Sequence, residues 1–267
     1  MMKNYVAENE KILRQWEESN KKNHGEHNFA PDGIMFRGDF GEYEYGKKRL
    51  ESLNGEENNN WAKAPLRILF FTKDQNAGGD DAWDVRSETG KMNYTFFRNL
   101  MYQLYGLVNT RPDYKPDYTF SNEEAIELYN TFPIARVNAK KEAGESSIDN
   151  STLRSYLERE PDKDLLRRQI ENLDADIIVC CGFSESLEGS GNLLLNFLNN
   201  NCGYRFVQQH SEEGNWMWYD EGRNKLAINN WHLSWRGCGS ETIYNGMTQA
   251  YHTFLQEHPQ FIESHRK

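Results

Sequence analysis

A chain of 267 residues is long enough to bury the core of one large α/β domain, and its 13% of aromatic residues offset an apolar content of only 37%. The formal charge of −10 excludes broad, unspecific attraction to nucleic acid, which depends on clustered Lys and Arg. No apolar run approaches the roughly 20 residues that span a bilayer, and the polar opening segment is unlike a signal peptide, so a soluble, cytoplasmic protein without membrane contact is expected.

The spacing of Tyr5, Val6, Ile12, Leu13 and Trp16 predicts an amphipathic helix over residues 4–21. Residues 23–60 are rich in Gly, Asn, Glu and Asp and carry the turn signal Asn28-Phe29-Ala30-Pro31-Asp32-Gly33 before the apolar Ile34-Met35-Phe36. Residues 1–60 are therefore read as an N-terminal extension packed on a single domain of residues 61–267. Ile68-Leu69-Phe70-Phe71-Thr72, apolar on both faces, reads as a central parallel strand, with Gly78-Gly79-Asp80-Asp81 as a loop beyond it. Phe96, Phe97, Leu100, Met101, Leu104 and Tyr105 recur at helical spacing within residues 92–107. Ser121 is placed to cap a second helix, 122–129, whose Glu123 and Glu124 suit a helix N-terminus.

A strand over residues 132–138 leads into a polar loop, 139–147. Asn150 or Ser151 is expected to cap a helix that Pro161 interrupts, and a second helix runs from there to about Leu173. Residues 176–181 read as another central strand, entering a turn at Gly182-Phe183-Ser184. Adjacent Cys180 and Cys181 alternate faces of that strand and read as packing; the four cysteines lack CxxC spacing, so neither a disulfide scaffold nor a structural metal site is expected. A helix over 192–199, a hairpin of 204–209 with 216–220, a last strand over 225–229 and a helix over 241–257 complete the chain. Strands alternating with helices indicate a three-layer α/β/α sandwich around a mostly parallel sheet of about four strands.

Ligands of such sheets bind beyond the carboxyl ends of the strands. The first strand stops at Lys73-Asp74-Gln75-Asn76 and the last at Trp231-His232-Leu233-Ser234-Trp235-Arg236, so a carboxylate and a histidine face one crevice. A partly buried Asp74 can orient or deprotonate water, although an Asp there also suits a turn cap. His232 can donate to a carbonyl oxygen, or pack between Trp231 and Trp235. Asn138 offers a donor and an acceptor to the edge of a planar base, and strand-end Asn is also common in turns. Lys73, Lys140, Lys141 and Arg236 follow strands or apolar runs and predict a basic rim on an otherwise acidic molecule. The loop with Gly182, Gly189 and Gly191 lacks both a P-loop lysine and a dinucleotide fingerprint, and Ser184 and Ser186 lack a nucleophile elbow.

Taken together, the strand ends resemble those of the uracil-DNA glycosylase superfamily. Phe71-Thr72-Lys73-Asp74-Gln75 is similar to its Gly-Gln-Asp-Pro-Tyr motif and Val137-Asn138 to its second strand end. Ile177-Ile178-Val179-Cys180-Cys181-Gly182 is similar to its apolar strand ending in Gly, and His232-Leu233-Ser234 to its His-Pro-Ser motif. Order and rough spacing agree over residues 66–257, with Gln75, Asn76 and Leu233 standing where the motifs carry Pro, Tyr and Pro. The resemblance implies that Asp74 positions the attacking water, that Asn138 bonds the base edge, and that His232 bonds a base carbonyl oxygen and supports charge on the leaving base. It also implies an aromatic stacked on a flipped-out base, for which Trp83 and Phe96 are candidates, and a wedge loop with Trp235 and Arg236.

The expected function is hydrolysis of a base–sugar N-glycosidic bond by a monomer, needing no metal or organic cofactor. Asp74 and His232 would be catalytic, with Asn138, Gln75, Asn76, Lys73, Lys140, Lys141, Ser234 and Arg236 around a nucleobase-containing substrate, DNA among the candidates. The alternatives are a non-catalytic nucleobase- or nucleotide-binding module of the same fold, and a hydrolase of a free nucleoside or nucleotide, which the acidic charge suits better.

Overall fold

A computed structural model of the chain describes residues 3–24, 29–36, 56–76, 82–88, 91–144, 148–210, 212 and 214–265. In chain order these form α1 (Tyr5–His24), β1 (Gly33–Ile34), α2 (Glu57–Ala62), β2 (Ile68–Thr72), a short 3-10 turn (Val85–Ser87), α3 (Thr95–Asn109), α4 (Asn122–Thr131) and β3 (Ile134–Asn138). There follow α5 (Asn150–Glu158), α6 (Asp162–Leu173), β4 (Ile177–Phe183), α7 (Leu193–Asn201), β5 (Val207–Gln208), β6 (Met217–Asp220), β7 (Lys225–Trp231), α8 (Ser240–Glu257) and α9 (Pro259–His265). The Gly78–Asp81 loop expected from the sequence lies outside the described residues.

The sheet is mixed and has the order β1-β3-β2-β4-β7-β6-β5. Its centre, β3-β2-β4-β7, is parallel, with Leu69 opposite both Ala135 and Ile178, and Val179 opposite Ile228. The expected count of about four strands covers that centre alone; the sheet has seven strands because short β1 and the β5-β6 hairpin pair antiparallel at the two edges. The β5–β6 pair is the hairpin expected from residues 204–209 and 216–220, whereas two-residue β1 is too short to show a period in sequence.

Every residue of β2 is buried, which is why its sequence carries no polar face. Alternate residues feed two cores. Ile68 and Phe70 join Ile177, Val179, Leu226 and Ile228 beneath Leu100, Leu104, Tyr129, Tyr244, Met247 and Phe254 of α3, α4 and α8. Leu69 and Phe71 join Ala135, Ile178, Cys180 and Ala227 beneath Trp16, Leu153, Leu166, Ile170, Leu194 and Leu198 of α1, α5, α6 and α7. Helices thus cover both faces, as a central parallel sheet requires.

Local chemistry sets the element ends. Ser121 and Glu124 form the reciprocal capping box that starts α4. For α5 the cap is Asp149 rather than Asn150 or Ser151, since its Oδ1 accepts from the N–H groups of Ser151 (2.8 Å) and Thr152 (2.9 Å). The N-terminal segment is keyed into the sheet: β1 pairs with β3, and Gly33, at φ 137°, leaves no room for a Cβ beside the Asn9 amide 2.5 Å away. Next to it Asp32 is fully buried and accepts from Lys141 Nζ on both oxygens (2.7 Å each), from the Asn138 N–H (2.7 Å) and from Gln169 Nε2 (2.8 Å). Four hydrogen bonds from three residues to one buried carboxylate join β1 and α6 to the carboxyl end of β3, and Asn9 Nδ2 of α1 donates to the Asp32 backbone carbonyl at 2.9 Å. None of the helices described is long and apolar enough to cross a membrane.

Candidate functional site

From β2 the chain passes to β3 on one side, then returns to β4 on the other, so the topological switch point falls at the carboxyl ends of β2 and β4. A cavity of about 570 Å³ opens there, with Lys73 following β2, Phe183 ending β4, and Trp231 and His232 ending β7. Asn150, at the start of α5, and Trp235 complete its inner wall. The volume lies in the range of small-molecule sites.

Beyond their last strand residues the β2 and β3 segments remain zipped. The N–H groups of Ala139, Lys140 and Gly144 donate to the carbonyls of Thr72 (2.9 Å), Lys73 (2.9 Å) and Gln75 (2.8 Å). This folds Gly144 over Asp74, and a Cβ on that glycine would sit 2.6 Å from Asp74 Oδ2. Burial pushes the Asp74 carboxyl up to about 6, against the pull of Lys140 and Lys73. Burial likewise lowers the Lys73 ammonium, Asp74 opposing, and Lys73 Nζ donates to Asn150 Oδ1 at 3.5 Å. A carboxyl poised near neutrality beside a weakened ammonium is a pair suited to proton transfer.

His232 is held neutral. Burial, then Lys73 and Arg136, lower its pKa to about 4, and its Nδ1 accepts the Ser234 N–H at 3.3 Å, which leaves Nε2–H as the donor. The loop carrying it is pinned by Asn99 Nδ2, which donates to the Leu233 carbonyl at 2.7 Å. The Phe96 ring stands 6.2 Å from the imidazole, and the Arg136 guanidinium lies 4.7 Å over that same Phe96 ring. On the cavity side Trp231 and Trp235 stack at 3.9 Å and 6°, and Phe183 meets Trp231 edge-on at 4.5 Å. These rings offer a flat apolar wall for a planar ligand.

Phe183 reaches the cavity because β4 does not turn at Gly182 as the sequence suggests. The strand continues through a register shift that pairs Phe183 with Trp231, and such irregularities re-aim side chains at strand ends. Asn192 holds the shift: its Nδ2 donates to the Cys180 carbonyl (2.8 Å) and to Asn229 Oδ1 (2.9 Å), while its Oδ1 caps α7. Asn192 and Asn229 carry no sequence motif, and their partners lie 12 and 37 residues from Asn192, so only the folded chain discloses the clamp.

The residues singled out in the sequence divide into groups. Lys73 and His232 line the cavity together, and Asp74 adjoins Lys73 beneath Gly144. Asn138 is fully buried; its Oδ1 accepts from Thr72 Oγ1 at 2.5 Å, and its Nδ2 has no hydrogen-bond partner. Gln75 is also buried, its amide spent on both backbone groups of Trp83 (2.9 and 3.3 Å). Lys141 does not reach the crevice rim: it is fully buried, and its ammonium is occupied by Asp32 and the Asn138 carbonyl. Lys140 is half-buried, 5.5 Å over the Tyr156 ring, whereas Asn76, Ser234 and Arg236 are exposed. Trp83 donates its indole N–H to Glu88. The basic rim is therefore narrower than expected, and the carboxylates of Asp149 and Glu185 stand at the cavity mouth instead. Among the described residues no group of three or more His, Cys, Asp or Glu side chains is arranged to hold a metal ion.

Comparison with protein families, with curated proteins and with solved structures finds no match to this chain.

Proposed function

We propose that the cavity hydrolyses the N-glycosidic bond of a base-bearing sugar, in a sheet of the uracil-DNA glycosylase-like kind. The observation that carries this reading is the meeting of a carboxyl near pH 6, a neutral histidine and an ammonium beside one aromatic-walled cavity. Asp74 takes a proton from water as the water oxygen bonds to C1′ of the sugar, and the electron pair of the breaking C1′–N bond passes to the base. His232 donates its Nε2–H to a base carbonyl oxygen, and Lys73 offsets the negative charge of the departing base. An oxocarbenium-like sugar is favoured by the nearby carboxylate. Asn138, fully buried at the end of β3 with its amide Nδ2 lacking a hydrogen-bond partner, does not line the cavity, and its expected contact with the base edge is not part of this reading. Phe183, Trp231 and Trp235 supply the stacking surface.

A specific observation favours a free nucleoside or nucleotide over duplex DNA as the substrate. The exposed carboxylates of Asp149 and Glu185 at the mouth would repel a chain of phosphates, and the overall charge is −10.

The test is chromatographic detection of free base after incubation with nucleosides, nucleotides, and single- and double-stranded oligonucleotides carrying uracil, hypoxanthine or oxidised bases. Release is expected from at least one of the small substrates, with little dependence on salt. Release from none, by a protein shown to be folded, would leave a binding module and end the hydrolase reading.

A further inference from the structure

The cavity is chemically graded from inside to outside. Its inner end carries Lys73, His232, Phe183 and the paired tryptophans, all half-buried, while Glu185 and Ser186 at its mouth are exposed. A hydrogen-bonded track joins the two ends: Lys73 Nζ donates to Asn150 Oδ1 (3.5 Å), Asn150 Nδ2 to Ser184 Oγ (3.5 Å), and Ser184 Oγ meets Ser186 Oγ at 2.9 Å. A base lodged against the inner aromatic wall would extend its sugar along this track.

The mouth is built firmly enough to read that sugar. Ser184 N–H donates to the Gly191 carbonyl at 2.7 Å, closing the 184–191 loop, and Leu187 N–H donates back to Ser184 O at 3.2 Å, so Glu185 and Ser186 occupy the middle of a turn. Gly191, at φ 68°, leaves no room for a Cβ, which would lie 2.6 Å from the Phe183 ring. Of the two mouth carboxylates Asp149 is already engaged, accepting from Ser151 and Thr152 backbone and hydroxyl groups as the cap of α5. Glu185 takes no hydrogen-bond or ion-pair partner among the described residues. A free carboxylate beside two serine hydroxyls is the donor–acceptor set that fits a vicinal diol, as acidic side chains do when they accept from ribose hydroxyls.

We propose that the cavity selects ribose over 2′-deoxyribose, with Glu185 accepting from the sugar 2′- and 3′-hydroxyls and Ser184 and Ser186 completing the contact, so that the ligand is a ribonucleoside. This rests on the N-glycosidic reading of the same cavity and adds the identity of the sugar. The inner ammonium and imidazole then face the leaving base, and the outer acid faces neutral hydroxyl groups rather than phosphate.

The experiment is calorimetric titration with adenosine, inosine, guanosine, cytidine and uridine, each against its 2′-deoxy counterpart. It is run in the Asp74→Asn background, so that turnover does not blur binding, with and without Glu185→Ala. Glu185 is exposed and has no side-chain partner among the described residues, so its replacement is expected to leave the fold intact, which a thermal melt checks. For the bases that bind, the ribonucleoside is expected to bind about 10-fold or more tightly than the deoxy form. Glu185→Ala should bring that ratio toward one by weakening ribonucleoside binding more than deoxynucleoside binding, which loses only the 3′-hydroxyl contact, and Glu185→Gln should retain part of the ratio. Equal affinity for the two sugars, a ratio insensitive to Glu185→Ala, or no binding of any ribonucleoside would each overturn the proposal. Base release by the wild type with no sugar preference would keep the hydrolase reading and remove this one; a sugar preference without base release would do the reverse.

Discussion

Replacing Asp74 by Asn should stabilise the protein while abolishing its chemistry. In the fold, burial lifts the Asp74 carboxyl from an ordinary 3.8 to about 6, so the ionised form is the disfavoured one. A raised carboxyl pKa means that the native state holds the proton more tightly than the unfolded chain, and stability falls as pH rises between about 3.8 and 6. At pH 7 the penalty is complete. At about 1.4 kcal/mol per pH unit, the interval from 3.8 to about 6 sets an upper bound of ~3 kcal/mol. Asparagine has the shape of the carboxyl without its charge, so Asp74→Asn should add ~1–3 kcal/mol at pH 7 and little at pH 4. At about 2–4 °C per kcal/mol, the expected rise in Tm at pH 7 is several degrees. Urea denaturation of both proteins at pH 7 and pH 4 measures it. An Asp that merely capped a turn would lose stability on this change. A variant less stable than the wild type at pH 7, or a gain equal at the two pH values, would refute the reasoning.

Other outcomes follow from the same geometry. With a small substrate, kcat/KM should rise about tenfold per pH unit below 6 as Asp74 loses its proton, then level off, with no break near 6.5 because His232 stays neutral down to about 4; a profile falling through pH 6 would contradict this. Gly144→Ala places a Cβ against Asp74 Oδ2 and should lower kcat by about 10²-fold through misplacement of the carboxylate, with KM little changed in steady-state assays. Lys141→Met strands the buried Asp32 and should cost ~3–5 kcal/mol in urea denaturation, a loss inconsistent with a surface lysine of the crevice rim. Ser121→Ala removes one half of the α4 capping box and should cost ~1 kcal/mol by the same method, without effect on ligand binding.

The centre of this fold is legible in sequence because a strand buried on both faces has no polar side to hide. Residues 68–72 are read and found with the same bounds, the run read as 176–181 is found as Ile177–Phe183, and the run read as 225–229 extends to Trp231. One edge is legible and the other is not. The hairpin read from residues 204–209 and 216–220 is found as β5 and β6, whereas Gly33-Ile34 pairs with β3, a neighbour that only tertiary structure supplies, and α9, which opens at Pro259 where a missing N–H costs nothing, follows the last helix expected from the sequence. At the α5 start Asp149, Asn150 and Ser151 are all good caps, and only backbone geometry selects Asp149.

The site divides in the same way. Position at a strand end sufficed to place Lys73 and His232 on one cavity and Asp74 next to it. It misjudged Lys141, whose partner Asp32 stands 109 residues away, because no local pattern distinguishes a buried ion-paired lysine from a solvated one. It overlooked Phe183 and Glu185, since a Gly-Phe-Ser sequence looks like a turn and a single Glu in a polar loop looks like solvent. The register shift in β4 and the Asn192 clamp, which give those residues their positions, arise from pairing with β7.

The most direct measurement of the central claim is release of free base from one small substrate under single-turnover conditions, by wild type and by Asp74→Asn, with ligand binding verified for both. Release by the wild type that falls by about 10²-fold or more in the variant, while binding persists, is the predicted result. Equal release by the two proteins would show that Asp74 does not activate the water and would contradict the account.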